Sequence, residues 1–396
     1  MTSALHVLGV SRTLPFHSIG GMQAIAWDIF RMLARQGHRV TVLTTAIPGH
    51  DAPFDVDGVR VEPVPSAPAE RYSAAWWRDS DAAAMRIHAR EPIGAVLSIS
   101  AAAAEMPSLR AAAPRVPFLF QAHGTSWGEF QSKWRSGQPL QWLKSARNLL
   151  WIFKDARIYR RFDHIALVGD VLDRQFGAWP MPWVAGRVPR AVIRNGIDTQ
   201  RFRPDAEAAL QARQRLAIDP QAPLIVFAAR LHPQKGARQL MQAFEKLAAR
   251  DPAPHLLIVG GGEDEAGLRA QAKAGVHAGR IHFTGAVDRG EMPALLAAGQ
   301  VFAFPSLRQE GLPMNVLEAL ACGLPAIVSD SMRPVFLPAL GLSFCDPKDP
   351  AALADALATA LADSPVSAPV RSRLTSEYAL AECAQAYSGL LARPKD

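Results

Sequence analysis

The feature that most constrains this chain is an alternation of period. Short apolar runs trade places with helix-period segments from near the N-terminus almost to the C-terminus. Read as strands, the runs fall at residues 5–10, 40–45, 59–64, 95–99, 117–122, 164–168 and 191–193. They resume at 224–229, 255–259, 281–284, 301–304, 326–329 and 342–344. Many are apolar at consecutive positions rather than at alternate ones. Such a strand is buried on both faces, as parallel strands are when helices cover them above and below. Strand and helix alternating at this spacing predict doubly wound α/β layers. So many strands exceed one comfortable open sheet, and two sheets of roughly six or seven strands are expected. The break is placed near residues 180–189, where WPMPWVAGRVP concentrates proline and glycine. This gives a first Rossmann-like domain over 1–188 and a second over 189–374. A C-terminal helix at about 375–396 is a candidate to pack back on the first.

Composition excludes several classes. Hydrophobic residues are 49% and charged residues 20% of 396 positions, the balance of a globular protein and not of a disordered or collagenous one. The cysteines Cys322, Cys345 and Cys383 are too few and too scattered for a disulfide framework or a Cys-built zinc site. No uncharged apolar run reaches the roughly 18 residues of a membrane-spanning helix. The start, MTSALHVLGVSR, lacks the basic and apolar regions of a signal peptide, so a cytoplasmic protein is expected. Charge is uneven. The formal net charge of +7 resides entirely in residues 1–195, which also hold all 9 tryptophans. Two halves with different surface chemistry predict two domains with different partners.

In open α/β sheets, ligands bind beyond the carboxyl ends of the strands, and two such domains place the natural site in the cleft between them. Polar motifs do follow the strand runs. The strongest is VFAFPSLRQEGLPMNVLEALACGLPAIVSD at 301–330. A helix is expected to start near Pro313, since proline suits the first helical position. Glu310 precedes it and Glu318 lies inside it. The amides of Gly311, Leu312, Met314 and Asn315 fall at or near its N-terminus, where unpaired N–H groups favour anions. Amides that hold phosphate beside carboxylates that accept from hydroxyls suit a sugar phosphate. An ordinary capped helix with surface glutamates is the bland alternative. In LIVFAARLHPQKG (224–236), Arg230 and Lys235 at a strand's carboxyl end could neutralise a diphosphate, Arg as a fork and Lys as a point charge. Two solvated loop charges would leave the same pattern.

The succession ARLHPQKG, IVGGGE, IHFTGAV, EGLPMNVLE resembles the donor domain of the family-4 retaining glycosyltransferases, which have the GT-B fold. Glu310 and Glu318 meet the E-x7-E pattern. The resemblance is strong over 190–330 and weaker over 1–130, where IGGMQ (19–23) and QAHGT (121–125) carry it. It implies roles residue by residue. Arg230 and Lys235 match the pair on the donor diphosphate, and Glu318 the carboxylate that accepts from the ribose. Glu310 matches the carboxylate beside the transferred sugar, with Gly311, Leu312, Met314 and Asn315 around it. Backbone near Gly285 and Val287 would meet the base. Gly20 and Gly21 match a first-domain loop over the phosphates or acceptor, and His123 the histidine near the donor sugar. On this basis Glu310, His123, Arg230 and Lys235 are the candidate catalytic residues. Two departures stand out: Gly260, Gly261 and Gly262 replace the commoner Gly-Asp-Gly, and Arg308–Gln309 before Glu310 is unusual.

The implied donor is a nucleotide diphosphate sugar, uridine being the default base and guanosine the alternative. No cofactor is required, because the cations and amides face the charge that grows on the leaving diphosphate. No metal site is expected, and P-loop, G-x-G-x-x-G, G-x-S-x-G and H-E-x-x-H motifs are all absent from the sequence. The acceptor is expected to be a glycan or polyprenyl-linked sugar in cell-envelope polysaccharide or lipopolysaccharide synthesis. A nucleotide-sugar epimerase or hydrolase on the same fold, and a non-catalytic sugar-nucleotide-binding module, are the alternatives.

Residues 131–161 are strongly basic, with Asp155 the one acid. On a helical wheel Trp142, Ala146, Leu149, Phe153 and Ala156 share a side, and Arg147, Lys154, Arg157 and Arg161 gather beside it. Lys144, Arg147, Trp151, Lys154 and Arg157 are therefore a candidate acceptor or membrane surface, apolar side inserted and basic rim near anionic lipid. An amphipathic domain helix with a solvated basic face is the alternative. No nucleic-acid-binding motif accompanies the Trp and Arg residues, so nucleic acid is not an expected partner. Peripheral binding to the inner face of the cytoplasmic membrane would follow.

Overall fold

The computed structural model describes residues 4–18, 20–135, 151–308, 310–336, 340–362, 366 and 368–393. The chain divides into two units, residues 1–196 with 380–396, and residues 197–379. Each is an α/β layer structure.

The first unit is built on eight strands. They are β1 (His6–Val10), β2 (Arg39–Thr45), β3 (Phe54–Val56), β4 (Val59–Val64), β5 (Ala95–Ile99), β6 (Phe118–Ala122), β7 (His164–Leu167) and β8 (Arg190–Val192), in the order β3-β4-β2-β1-β5-β6-β7-β8. All neighbours are parallel except β3, which pairs antiparallel with β4 (Asp55↔Arg60). The apolar-run pattern misses β3 because FDV is short and half-exposed. The signal for it is Asp57-Gly58, a two-residue hairpin turn whose residues both have positive φ (54° and 79°). β1 and β5 are buried at every position, as two-faced parallel strands should be.

The proline-rich segment 180–189 is not a linker. Pro182 opens the short helix Met181–Ala185 and Gly186, at φ 65°, ends it, the order in which these residues favour a helix start and stop. The chain then runs into β8, which closes the first sheet beside β7 (Ile165↔Arg190). The first unit therefore extends to Gly196 rather than to residue 188. The terminal helix is Leu380–Leu391, not 375–396, and belongs to the first unit. It packs on the helix Gly21–Arg35, with His38 Nε2 2.6 Å from Ser388 Oγ.

The second unit carries β9 (Leu224–Ala228), β10 (His255–Val259), β11 (Ile281–Gly285), β12 (Val301–Phe304), β13 (Ala326–Ser329) and β14 (Ser343–Cys345) in the order β11-β10-β9-β12-β13-β14, all parallel. The chain reverses its direction of winding between β9 and β12, the place where open α/β sheets bind ligands. The helix Ala237–Arg250 buries Leu240, Met241, Ala243, Phe244, Leu247 and Ala248, a stripe at helical spacing facing the sheet and the helix Pro350–Ala362. Burying each such large apolar side chain contributes about 1.5–3 kcal/mol. The framework that carries the loops beyond β9 and β12 is thus rigid.

Candidate functional site

The loops after β9, β10, β11 and β12 bring most of the expected donor residues into the second unit's switch point. After β9 the chain turns at His232, whose Nδ1 accepts from Gln234 N at 3.1 Å, and makes one 3-10 turn over Pro233–Lys235. Gly236 then starts the helix Ala237–Arg250 at φ 84°. A β-carbon there would lie 1.9 Å from the Pro305 carbonyl oxygen, so this position admits only glycine. That close approach sets Lys235 against the loop after β12.

Lys235 Nζ donates to Glu310 Oε1 at 2.9 Å, with side-chain exposures of 22% and 12%. Ser306 Oγ donates to the same oxygen at 2.8 Å. Ser306 is held in turn, its carbonyl accepting from Ser329 Oγ at 2.6 Å. Glu310 is therefore fixed from two sides. Arg230 is exposed just past β9, and its guanidinium has no hydrogen-bond or ion-pair partner among the described residues. Arg230 thus differs from Lys235, whose charge is matched by Glu310.

Pro313 occupies the cap position, and the helix begins one residue later than expected, at Met314. The backbone N–H groups of Gly311, Leu312, Met314 and Asn315 find no acceptor among the described residues. Among the described residues other than its chain neighbours, nothing comes within 4 Å of where a Gly311 side chain would begin, so packing does not explain the glycine. The Asn315 side chain is used structurally: Nδ2 donates to Ala228 O at 2.9 Å and Oδ1 accepts from Val316 N at 3.0 Å. It ties the helix start to the end of β9. Glu318 faces Arg289 at 3.7 Å.

The triglycine after β10 has a packing reason. A β-carbon on Gly260 or Gly262 would lie 2.1 Å from Ala229 O or 2.3 Å from Leu231 O. Leu231 N donates to Gly261 O at 2.9 Å, so this segment braces the backbone on either side of Arg230. Gly285, at φ 70°, closes β11 and its carbonyl accepts from Gly260 N at 2.9 Å. Val287 follows it, half-buried.

Two residues in this cluster escape a reading of the sequence. Ser306 gives a weak signal, a hydroxyl at the carboxyl end of a strand. Arg289 gives none, since its pairing with Glu318 joins distant positions. Arg308 is exposed, and Gln309 lies outside the described residues.

In the first unit, Gly20 caps the helix Gly21–Arg35 in extended conformation, and among the described residues outside its own chain neighbours and helix backbone nothing lies within 4 Å of a β-carbon built on Gly21. His123 follows β6. Its Nε2 is 2.9 Å from Gln121 Oε1, and burial pushes its pKa down to about 4, so the imidazole is neutral at physiological pH.

The basic segment is only partly described. Lys144 and Arg147, with Trp142, Ala146 and Leu149, lie outside the described residues. Residues 151–159 are helical. The wheel's apolar side divides here: Ala156 is buried with Ile152 and Tyr159, while Phe153 is exposed beside Lys154 and Arg157. Arg161 leaves the basic rim, pairing with Glu105 and donating to Ala104 O. Trp183 joins the surface instead, its ring 5.8 Å from Phe153 and its carbonyl accepting from Arg160 at 3.0 Å. Trp151, Phe153, Trp179 and Trp183 are the exposed aromatic side chains among the described residues. The nearby acid, Asp155, is turned inward and accepts from Ser126 N at 3.0 Å; burial raises its pKa. It does not cancel the basic face.

Among the described residues, no group of three or more His, Cys, Asp or Glu side chains could hold a metal ion, and no helix is long and apolar enough to cross a membrane.

Two cations and a row of amides without acceptors among the described residues thus lie in the loops after β9 and β12. The family comparisons name the class. The family described as "Glycosyl transferases group 1" matches residues 210–377, and "Glycosyl transferase 4-like domain" matches residues 20–196. The chain belongs to the family-4 glycosyltransferases and has their GT-B fold. A GDP-mannose-dependent alpha-(1-6)-phosphatidylinositol monomannoside mannosyltransferase of Mycolicibacterium smegmatis is 37% identical over 142 residues, 34% of this chain and 37% of that protein. The match thus spans little more than a third of that relative's length. A D-inositol 3-phosphate glycosyltransferase of Xylanimonas cellulosilytica is 27% identical over 380 residues, 87% of this chain and 84% of that one. Sucrose-phosphate synthase of Thermosynechococcus elongatus shares the fold, with a TM-score of 0.76 at 19% identity over 98% of both chains.

Proposed function

We propose that this protein transfers a sugar from a nucleoside diphosphate sugar to a lipid-linked or glycan acceptor in envelope synthesis. One observation carries the reading: a part-buried Lys235–Glu310 pair joins the loops after β9 and β12, which also carry an Arg230 guanidinium and 311–315 amides without partners among the described residues. As the anomeric bond breaks, negative charge grows on the leaving phosphate. Fixed cations and amides facing that charge stabilise the transition state more than the ground state.

In this reading Arg230 and Lys235 take the diphosphate and the amides from Gly311 to Asn315 the adjoining oxygens. Glu310, held by Ser306 and Lys235, accepts from hydroxyls of the transferred sugar. Glu318 takes the ribose hydroxyls, and backbone at Gly285 and Val287 borders the base. Gly20 and Gly21 serve the phosphates or acceptor, and the neutral His123 accepts from a sugar hydroxyl. The GDP-mannose dependence of the Mycolicibacterium relative favours guanosine over the uridine default as the base to test first. No cofactor takes part in this scheme.

Transfer proceeds with retention at the anomeric carbon, by a front-face route in which the leaving phosphate helps take the acceptor proton. The basic aromatic face of Trp151, Lys154, Arg157 and Trp183 docks on the anionic inner face of the cytoplasmic membrane, where a lipid-linked acceptor resides. The relatives do not support the epimerase, hydrolase or non-catalytic alternatives.

The test is donor turnover with and without phosphatidylinositol and polyprenyl-linked acceptors. Acceptor-dependent release of nucleoside diphosphate, with an NMR-assigned α-linked product from an α-linked donor, is expected. Turnover that ignores acceptor, or an inverted product, contradicts the transfer scheme. Arg230→Ala should slow transfer by roughly a hundredfold, corresponding to about 3 kcal/mol of lost transition-state stabilisation.

A further inference from the structure

A buried hydrogen-bond chain links the C-terminal helix to His123. Gln121 Nε2 donates to Tyr387 Oη at 2.7 Å, and His123 Nε2 lies 2.9 Å from Gln121 Oε1. Gln121 and Tyr387 are both 0% exposed. This is an expensive place for two polar ends. Gln121 sits in the interior strand β6, between Ile99 on one side and Ala166 on the other. Tyr387 sits in a helix whose other inward residues are Leu380, Cys383, Ala384, Ser388, Leu390 and Leu391. Apolar residues of the same shape would pack there without any desolvation penalty. The two polar ends satisfy one another, and the spare acceptor of the amide faces the imidazole.

The direction of the chain fixes a tautomer. With its NH₂ given to Tyr387, the Gln121 amide presents its oxygen to His123, and that oxygen can only accept. Nε2 of His123 therefore carries the proton, and Nδ1 keeps its lone pair. Nδ1 has no partner among the described residues.

We propose that Tyr387 is a positioning residue for His123, acting through Gln121 to hold the imidazole as the Nε2–H tautomer with Nδ1 ready to accept a hydrogen bond from a sugar hydroxyl. The functional half of this rests on the role proposed for His123. The C-terminal helix thereby becomes part of the site's support and not only of the core. Burial, which lowers the His123 pKa, acts in the same direction by keeping Nδ1 unprotonated.

The experiment uses the full chain labelled with ¹⁵N-histidine, with the His123 signals identified by their loss in His123→Asn. In the wild type, long-range ¹⁵N–¹H correlation should show His123 as the Nε2–H tautomer. Tyr387→Phe should shift it towards a tautomer mixture, lower kcat about 3- to 10-fold and leave the donor KM unchanged. Gln121→Met, which keeps the shape and removes the amide, should reproduce both changes if the phenylalanine variant folds poorly. In the His123→Asn background, where transfer should fall at least a hundredfold, Tyr387→Phe should add nothing further. An unchanged His123 signature in both relay variants overturns the proposal and leaves the donor-site reading intact. Full transfer activity in His123→Asn instead overturns the role of His123 itself, and the positioning role with it.

Discussion

Gly311 and Gly236 lie in the two loops proposed to carry the donor site, and a methyl group should do opposite things at the two. Gly311 has no positive φ, and among the described residues other than its chain neighbours nothing lies within 4 Å of its missing β-carbon. Alanine there restricts the unfolded chain without straining the folded one, a gain of about 0.4–1 kcal/mol. That corresponds to a rise in Tm of roughly 1–4 °C. The same methyl would project into the space proposed for phosphate or sugar. Forced overlap costs about 1–3 kcal/mol, a loss of about 5- to 150-fold in affinity. At Gly236 the alanine β-carbon meets Pro305 O at 1.9 Å in a left-handed backbone, so Gly236→Ala should lose about 2–5 kcal/mol of stability. Scanning fluorimetry gives the Tm values and titration calorimetry with GDP and UDP the affinities. A Gly311→Ala variant that is more stable and binds weakly fits the account. One that binds as well as wild type refutes the placement of the ligand.

His123 should leave a mark on acid stability. Its folded pKa of about 4 lies below the ordinary value of 6.5. Between those values the unfolded chain binds a proton that the folded chain refuses, so stability rises with pH across that window, by at most about 3 kcal/mol. Urea titrations from pH 4 to 7 should show this slope, and His123→Asn should flatten it; an unaltered slope would place the titrating group elsewhere. The basic aromatic face predicts that the protein sediments with phosphatidylglycerol-containing vesicles at low salt and is released as salt rises. Replacing Trp179 and Trp183 together by alanine should weaken that binding. No binding at low ionic strength would remove the membrane proposal.

The α/β layering and both sheets are legible in the sequence because many of the parallel strands are buried and apolar at consecutive positions; thirteen of the fourteen strands coincide with short runs in the sequence, the largely exposed β8 among them. The fourteenth, β3, hides because an edge strand needs no apolar face, and only its Asp-Gly turn betrays it. The unit boundary is misplaced for a related reason: proline and glycine punctuate a helix as readily as they mark a linker, and 180–189 holds the helix Met181–Ala185. In the site, Arg230, Lys235 and Glu310 are visible from their place after strand runs. Ser306 and Arg289 are not, since their parts depend on contacts across the fold. The Tyr387–Gln121–His123 chain is invisible in sequence for the same reason. Its ends are far apart along the chain, and a glutamine in a buried strand reads as a flaw until its partners are seen.

The central claim is that the second unit grips a nucleoside diphosphate with Arg230, Lys235 and the amides from Gly311 to Asn315. Calorimetric titration of GDP and UDP, each beside its monophosphate, into the wild type, Arg230→Ala and Lys235→Ala tests it most directly. The account predicts that a diphosphate binds, that its monophosphate binds at least tenfold more weakly, and that each substitution removes most of that difference. Equal binding of mono- and diphosphate, or substitutions that leave diphosphate affinity untouched, would contradict it.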